Sequence, residues 1–108
     1  RMQRGMYEYV NEDIYASKKE GGTWRKAEPL KEINSLYNEG TPVLTKDGNT
    51  MYFIRCESPE GLGSCDIYEA HITDEGWGRI KNLGVNVNSK YWESHPSLSN
   101  SGDTLYFT

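Results

Sequence analysis

The side chains of this sequence that could do chemistry are a few acids, two histidines and two cysteines. Glu93 and His95 stand at the start of a predicted strand, and an acid–histidine pair of this kind could bind a ligand or a metal ion. A polar pair that is hydrogen-bonded inside the fold is the commoner alternative. The similar stretch Glu39-Gly40-Thr41-Pro42 has threonine in place of the histidine, which argues against a ring of metal ligands.

No serine or cysteine is placed relative to a histidine in a way that catalysis could use, and no phosphate-binding loop is present. His71, the other histidine, falls late in a predicted strand, at an edge or surface position. The stretch Asp47-Gly48-Asn49 resembles part of a calcium loop but lacks the later ligands, and the chemistry of turns explains it. We therefore predict no catalytic residue, no metal site and no cofactor.

Cys56 and Cys65 are predicted to end one strand and to begin the next strand of the same hairpin. Neighbouring antiparallel strands bring Cα atoms to about 4.5–5.5 Å, which a disulfide tolerates. The bond would close the base of the loop 57–64, and two reduced, buried thiols are the alternative. If the bond forms, the compartment is exported rather than cytosolic.

Turn signals divide the chain into short strands, and no helix is convincing. Strands are predicted over 6–10, 13–18, 23–29, 40–45, 50–56, 65–72 and 77–83, and a strand–turn–strand over 91–108. Asp47-Gly48 supplies one hairpin turn, since Asp-Gly readily adopts the positive φ angles that such turns need.

The sequence repeats itself with a period near 53 residues. Asp13-Ile14-Tyr15 recurs as Asp66-Ile67-Tyr68 at an offset of 53, and Asn38-Glu39 recurs as Trp92-Glu93 at an offset of 54. One residue is therefore inserted between the two sets. The period is too long for ankyrin or tetratricopeptide units and fits a four-stranded propeller blade.

These repeated stretches resemble the TolB-like, WD-repeat-like β-propeller repeat of bacterial envelope proteins. The resemblance rests, in chain order, on residues 47–53, 66–68, 76–77, 82–84 and 93–107. The sequence departs from the family pattern at Ser101, where an aspartate is usual, and in the loop that follows Ile54. The resemblance implies an all-β fold of four-stranded antiparallel blades, from a propeller of six or more blades.

On this basis the whole chain, 1–108, is expected to be a partial propeller of about two blades. Residues 6–29 would supply strands two to four of one blade, 39–83 a complete blade, and 91–108 the first two strands of the next. We expect a fragment of a longer protein. Assembly from copies is the alternative, because open sheet edges allow self-association.

The resemblance further implies a non-catalytic binding scaffold in the periplasm or at the outer membrane. Its partners would be envelope proteins or other blades of the same protein. The alternative is the propeller portion of an enzyme, either the gating domain of a serine peptidase or a carbohydrate lyase. The candidate binding residues are Glu39, Tyr91, Trp92, Glu93 and His95.

The aromatic residues divide into two expected groups. Tyr91-Trp92 is the best candidate for an exposed patch, because the equivalent positions hold Tyr37-Asn38. Trp24, Trp77 and the Tyr-Phe pairs at 52–53 and 106–107 are expected to pack in the core between blades, with carbohydrate platforms as the alternative.

Composition narrows the partners. The net charge is −4, and acidic and basic residues are mixed along the sequence. This argues against a nucleic-acid partner, because nucleic acids bind to a basic face. No apolar run approaches the roughly 20 residues of a membrane span.

Overall fold

The computed structural model describes residues 11–108 in full, and before them the backbone of two strands, Met2–Arg4 (β1) and Tyr7–Tyr9 (β2). The part of the chain that it describes is all-β, contains no helix, and pairs all its strands antiparallel. The further strands are Tyr15–Ala16 (β3), Lys19–Glu20 (β4), Thr23–Trp24 (β5), Glu28–Pro29 (β6), Asn38–Leu44 (β7), Thr50–Cys56 (β8), Cys65–Thr73 (β9), Gly76–Asn82 (β10), Ser97–Leu98 (β11) and Leu105–Tyr106 (β12).

Strands β7 to β10 form one four-stranded sheet in which each strand pairs with the next in sequence. Each predicted strand of this sheet is confirmed, with ends that differ by at most two residues. The turn between β7 and β8 is the predicted Asp47-Gly48 turn, and Gly48 has a φ of 76°. The Asp47 carboxylate accepts hydrogen bonds from the Asn49 N–H and the Thr45 hydroxyl, and the first-named bond contributes most to lowering the pKa of Asp47.

The core lies on one face of this sheet. Alternate residues of β8 and β9 are buried there, as expected of strands whose successive side chains point to opposite faces. Met51, Phe53, Tyr68 and Ala70 pack against Ile14 and Ile33 from the preceding part of the chain. Each large apolar side chain buried in this way contributes about 1.5–3 kcal/mol to the free energy of unfolding.

An outer hairpin made of β3 to β6 precedes the sheet, and β9–β10 reproduces its register 53 residues later. The pairs Tyr15–Pro29, Ala16–Glu28, Lys19–Trp24 and Glu20–Thr23 recur as Tyr68–Asn82, Glu69–Lys81, Ile72–Trp77 and Thr73–Gly76. In both hairpins the register of pairing shifts at the same place. The shift lies between Ala16–Glu28 and Lys19–Trp24 in the first hairpin, and between Glu69–Lys81 and Ile72–Trp77 in the second. The sequence repeat therefore corresponds to a repeated strand pairing.

The predicted strand over 6–10 is found at Tyr7–Tyr9, and Met6 and Val10 lie outside the described residues. Its partner differs from the expectation. β2 pairs with β1, from which two residues separate it, and not with β3. β1 itself was not predicted from the sequence.

The hairpin β11–β12 lies within the predicted strand–turn–strand and repeats the register of β7–β8. Ser97 pairs with Tyr106 as Val43 pairs with Tyr52, at an offset of 54 residues. Both hairpins contain a non-glycine residue with positive φ directly before a proline: Thr41 at 44° and His95 at 55°. This conformation belongs to the shape of the hairpin, because both copies have it.

The disulfide between Cys56 and Cys65 is confirmed, and the two residues are direct partners in the register of β8 and β9. Their Cα atoms are 3.9 Å apart, closer than expected. Within residues 11–108 there is no free cysteine. None of the described segments is a helix long and apolar enough to cross a membrane.

Two of the aromatic predictions are wrong. Trp24 is 66% exposed, and the Lys19 ammonium lies 5.6 Å from the centre of its ring. The pair Tyr106 and Phe107 is 59% and 40% exposed. Phe53 is fully buried, as expected.

Candidate functional site

Two connecting segments hold most of the predicted site residues. The first junction, residues 30–39, links the outer hairpin to the sheet, and the second junction, residues 83–93, links the sheet to β11. They share the pattern Asn-Ser-x-Tyr-x-Glu, at 34–39 and 88–93. Glu39 and Glu93 are the last residues of the two junctions.

Each of these glutamates is bound within its own junction. The Ser35 N–H donates to Glu39 Oε1 at 3.0 Å, and the Ser35 hydroxyl donates to Oε2. Ser89 makes the same two bonds to Glu93, at 3.0 and 2.5 Å. Glu39 is 1% exposed and Glu93 is 6% exposed, so both carboxylates shape a buried turn.

The asparagine at the start of each pattern forms hydrogen bonds between its junction and the preceding part of the chain. Asn34 accepts from the Ile14 N–H at 2.8 Å and donates to the Ile14 carbonyl at 2.9 Å. Asn88 makes both bonds with Ile67, at 2.7 and 2.9 Å. Each amide thus satisfies two backbone groups that would otherwise be costly to bury.

The offset between the repeats changes from 53 to 54 residues within the second junction, so one residue is inserted there. In the first junction, Leu30 both donates its N–H to Ile14 and accepts from Asn34. In the second, Leu83 makes the donating bond and Gly84 makes the accepting one. Gly84, with a φ of 82°, is therefore the additional residue.

Glu39 has a basic partner in Arg55, whose Nε lies 2.7 Å from Glu39 Oε2. The guanidinium also donates to the Ile33 carbonyl at 2.8 Å and lies 5.0 Å from the centre of the Tyr68 ring. The Arg55 side chain is 11% exposed and that of Glu39 is fully buried. Among the described residues, no basic side chain forms such a pair with Glu93.

The disulfide-closed loop 57–64 rests on Asp66 and on the second junction. Asp66 is fully buried and accepts from the Leu62 N–H at 2.5 Å and from the Asn82 amide at 2.9 Å. The Ser64 N–H donates to the Tyr91 carbonyl at 2.9 Å. Gly63 lies so close to the second junction that a Cβ atom there would be 1.8 Å from that same carbonyl oxygen.

Gly63→Ala is therefore expected to destabilise the protein by about 3 kcal/mol, because backbone atoms would have to move to admit the methyl group. Urea unfolding followed by tryptophan fluorescence measures this loss. Gly40→Ala is the matched control, since its Cβ would meet only an Ile54 side-chain atom at 4.0 Å. Equal stability of the two variants would contradict this view of the loop.

Next to this loop, the second junction exposes two aromatic side chains to solvent, Tyr91 and Trp92, which we name the aromatic patch. They are 68% and 69% exposed. Trp92 forms an isolated bridge with Cys65, and the Lys90 ammonium lies 5.2 Å from the centre of the Tyr91 ring. The expectation that this pair is exposed is confirmed.

The structure does not bring Glu93 and His95 together. The Glu93 carboxylate points into its turn, whereas His95 is exposed and its Nδ1 lies 2.6 Å from the Ser94 hydroxyl. Within residues 11–108, no group of three or more histidine, cysteine or acidic side chains could hold a metal ion. Ligand binding by Glu39, Glu93 and His95 stays a prediction, and the aromatic patch is the most accessible of the candidates.

A cluster around His71 was not predicted. His71 Nδ1 lies 3.2 Å from the Thr50 hydroxyl, and its Nε2 lies 3.2 Å from Glu69 Oε1, which Lys81 also approaches, to 3.3 Å. Desolvation raises the pKa of Glu69, but the bonds to His71 and Lys81 outweigh it and lower the pKa below its usual 4.5. Desolvation and the nearby Glu69 charge raise the pKa of Tyr52. The sequence signal for this cluster is the Glu-x-His spacing of Glu69 and His71 within β9, which places both side chains on the same face of the strand.

We expect His71→Ala to raise the pKa of Glu69, because one of the hydrogen bonds that favour its charged form is lost. A carboxyl-carbon NMR titration measures the shift. In the wild type the folded state binds fewer protons here than the unfolded state, so this stabilisation is present above pH 4.5 and is lost as the pH falls through the lower, folded pKa. An unchanged Glu69 pKa in the variant would show that the bond is not formed in solution.

The two junctions, the disulfide-closed loop and the aromatic patch form the candidate site at one end of the four-stranded sheet. Its accessible groups include the rings of Tyr91 and Trp92, the Lys90 ammonium and the exposed acids Glu57 and Glu60 of the loop, whereas Glu39 and Glu93 are buried. Such a surface is suited to contact with a partner. Comparison of the sequence with protein-family models, with curated proteins and with solved structures gave no match.

Proposed function

We propose that this chain forms blades of a β-propeller and serves as a non-catalytic binding scaffold of the bacterial cell envelope. The observation that supports it most is the equivalence of the two junctions. Both make the same bonds from an asparagine to the backbone N–H and carbonyl of an isoleucine, and from a serine to a buried glutamate. A repeated connection between sheets is what a series of stacked blades requires.

The packing of the four-stranded sheet supports the same architecture. Ile33 of the first junction packs against the face that carries Phe53, and Asn88 of the second junction bonds the backbone of β9. The sheet thus has one junction before it and one after it, each in contact with it. A blade in a propeller stands in the same relation to its two neighbours.

The binding function is assigned to the aromatic patch because large aromatic side chains with this exposure are typical of protein contact sites. The loop 57–64, which the disulfide closes, supports the patch through the hydrogen bond from the Ser64 N–H to the Tyr91 carbonyl. Rigid presentation reduces the entropy lost when a partner binds. The partner in this proposal is another envelope protein.

A photo-crosslinking amino acid at position 92 tests this proposal in cells that produce the protein. We expect crosslinks to one or a few envelope proteins, competed by addition of the purified wild-type chain. The control position is Val85, which is 80% exposed and lies in the same junction, six residues before Tyr91. Crosslinking that is equal at both positions, or confined to cytosolic proteins, would rule the proposal out.

The proposed location has a separate test. An exported protein is expected to keep the Cys56–Cys65 disulfide, as disulfides persist in oxidising compartments. Cells are quenched with acid and treated with a thiol-alkylating reagent before and after reduction. The chain should gain mass only after reduction and should fractionate with the periplasm or outer membrane; alkylation without reduction would contradict export.

A further inference from the structure

A cavity of about 450 Å³ lies between the four-stranded sheet and the disulfide-closed loop. Its walls come from β8, β9, β10 and the loop 57–64, and the lining residues are Arg55, Glu60, Tyr68, Ile80, Lys81 and Asn82. This volume is within the range of roughly 300–1,000 Å³ that is common for small-molecule sites. The aromatic patch contributes no residue to it.

The hydroxyl group of Tyr68 indicates that this cavity takes a ligand. Tyr68 is 3% exposed and lines the cavity, yet its hydroxyl has no hydrogen-bond partner among the described residues. Buried hydroxyl groups are nearly always hydrogen-bonded, because an unbonded one is unfavourable. The ring centre lies 6.0 Å from that of Phe53 and 5.0 Å from the Arg55 guanidinium. Packing therefore accounts for the ring but not for the hydroxyl.

A second buried polar atom beside the cavity also lacks a partner. Asp66 is fully buried, and both the Leu62 N–H and the Asn82 amide donate to its Oδ2. Its Oδ1 accepts no hydrogen bond from the described residues. Asp66 is the direct partner of Arg55 in the register of β8 and β9, and both Arg55 and Asn82 line the cavity. This acceptor therefore lies near the cavity wall.

Arg55 supplies hydrogen-bond donors to the same cavity. Its Nε donates to Glu39 and its Nη2 to the Ile33 carbonyl, whereas its Nη1 donates to none of the described residues. A guanidinium carries five N–H donors, so several remain for a ligand. The exposed carboxylate of Glu60 adds acceptors from the loop. The cavity therefore combines donors and acceptors, and charges of both signs, around an aromatic ring.

We propose that this cavity binds one neutral sugar unit. Hydroxyl groups both donate and accept, so a sugar can donate to the carboxylates of Asp66 and Glu60 and accept from the Arg55 guanidinium. An anionic ligand would be repelled by these carboxylates, and a cationic one by Arg55 and Lys81. The site does not depend on the partner that is assigned to the aromatic patch, so either assignment can fail without the other.

NMR titration of the ¹⁵N-labelled full chain with glucose, galactose and N-acetylglucosamine tests the proposal. We expect at least one of these neutral sugars to shift the Arg55 Nε and Asn82 amide signals with a Kd of about 1 mM, since ligands of this size bind weakly. Glucuronate and glucosamine, which carry a carboxylate and an ammonium, should bind about tenfold more weakly. The proposal is overturned if no neutral sugar shifts these signals, or if a charged probe binds more tightly.

The variant Tyr68→Phe separates binding from folding. It keeps the ring beside Phe53 and removes only the hydroxyl, so we expect the stability in urea to be no lower than that of the wild type and the sugar affinity to fall about three- to tenfold. Tyr15→Phe, at the equivalent position 53 residues earlier, is the control and should leave the affinity unchanged. Unchanged affinity in Tyr68→Phe overturns the proposal. A loss of stability does so too, because the hydroxyl would then have a partner within the fold.

Two acids of the loop 57–64 give a second matched pair. Both Glu57 and Glu60 are exposed, but only Glu60 lines the cavity. Glu60→Gln is expected to weaken sugar binding about threefold, because a neutral amide oxygen is a weaker acceptor than a carboxylate. Glu57→Gln should have no effect in the same titration. Equal effects of the two variants would show that the sugar binds outside the cavity and would overturn the proposal.

Discussion

Replacement of Arg55 by leucine is expected to destabilise the protein by about 3–4 kcal/mol. The substitution leaves the Glu39 carboxylate, whose side chain is fully buried, without its counter-charge at 2.7 Å. It also leaves the Ile33 carbonyl without its donor and removes the cation above the Tyr68 ring. The free energy of unfolding in urea is the measurement. A loss below about 1 kcal/mol would contradict the buried ion pair, because that is the level of an exposed one.

Two further variants make this result specific. Arg25→Ala removes the corresponding partner from the exposed Arg25–Glu20 pair, whose side chains are 66% and 64% exposed, and should cost less than about 1 kcal/mol. Glu39→Gln added to Arg55→Leu should recover part of the loss, because a neutral amide is easier to bury than an unpaired carboxylate. A double variant that is less stable than Arg55→Leu would show that the charge on Glu39 is not what destabilises the single variant.

Removal of the disulfide is the second large effect. The variant Cys56→Ala/Cys65→Ala is expected to lose about 2–3 kcal/mol, since the bond closes a loop between residues nine positions apart. Thermal and urea unfolding with and without reductant measure this loss. Reductant should destabilise the wild type by a similar amount and should not affect the double variant. If reduction leaves the wild type unchanged, the bond contributes no stability.

The disulfide variant should also change the aromatic patch. The loop 57–64 contacts the second junction through Ser64 and Gly63, so loosening the loop should loosen the backbone of Tyr91. Faster amide hydrogen exchange at residues 89–92 in the double variant is the expected sign. Unchanged exchange there would show that the junction holds the patch without help from the loop.

Much of the fold could be predicted because its signals are local. The apolar run from Met51 to Ile54 and the Asp47-Gly48 turn define β8 and the end of β7. The pairing of β8 with β9 places Cys56 opposite Cys65. Asp103 shows the limit of this approach. It accepts bonds from the Ser101, Thr104 and Ser99 hydroxyls in the later turn, which lower its pKa, although Asp47 occupies a different position in its own turn. In each turn an aspartate accepts hydrogen bonds from neighbouring residues, but the aspartate stands at a different position in the two turns.

The candidate site was less predictable because it depends on contacts between distant residues. The pattern Asn-Ser-x-Tyr-x-Glu could have been noticed at 34–39 and 88–93, but its meaning lies in which backbone groups the asparagine meets. The pair Arg55–Glu39 depends on the register of β7 against β8 and on burial. Glu93 and His95 were considered together because they are near in sequence, whereas the turn at Ser89 buries one and leaves the other exposed.

The additional residue at Gly84 shows where this chain tolerates a change of length. The second junction accepts one residue more than the first and still makes every equivalent bond to the strand before it. A Cβ atom at Gly84 would meet no other atom within 4 Å, although the φ of 82° favours glycine there, and the next residue, Val85, is 80% exposed. This position is therefore a suitable point for inserting an epitope tag or a fluorophore-binding peptide. Such a label would report on the protein in cells while leaving the sheet and the aromatic patch undisturbed.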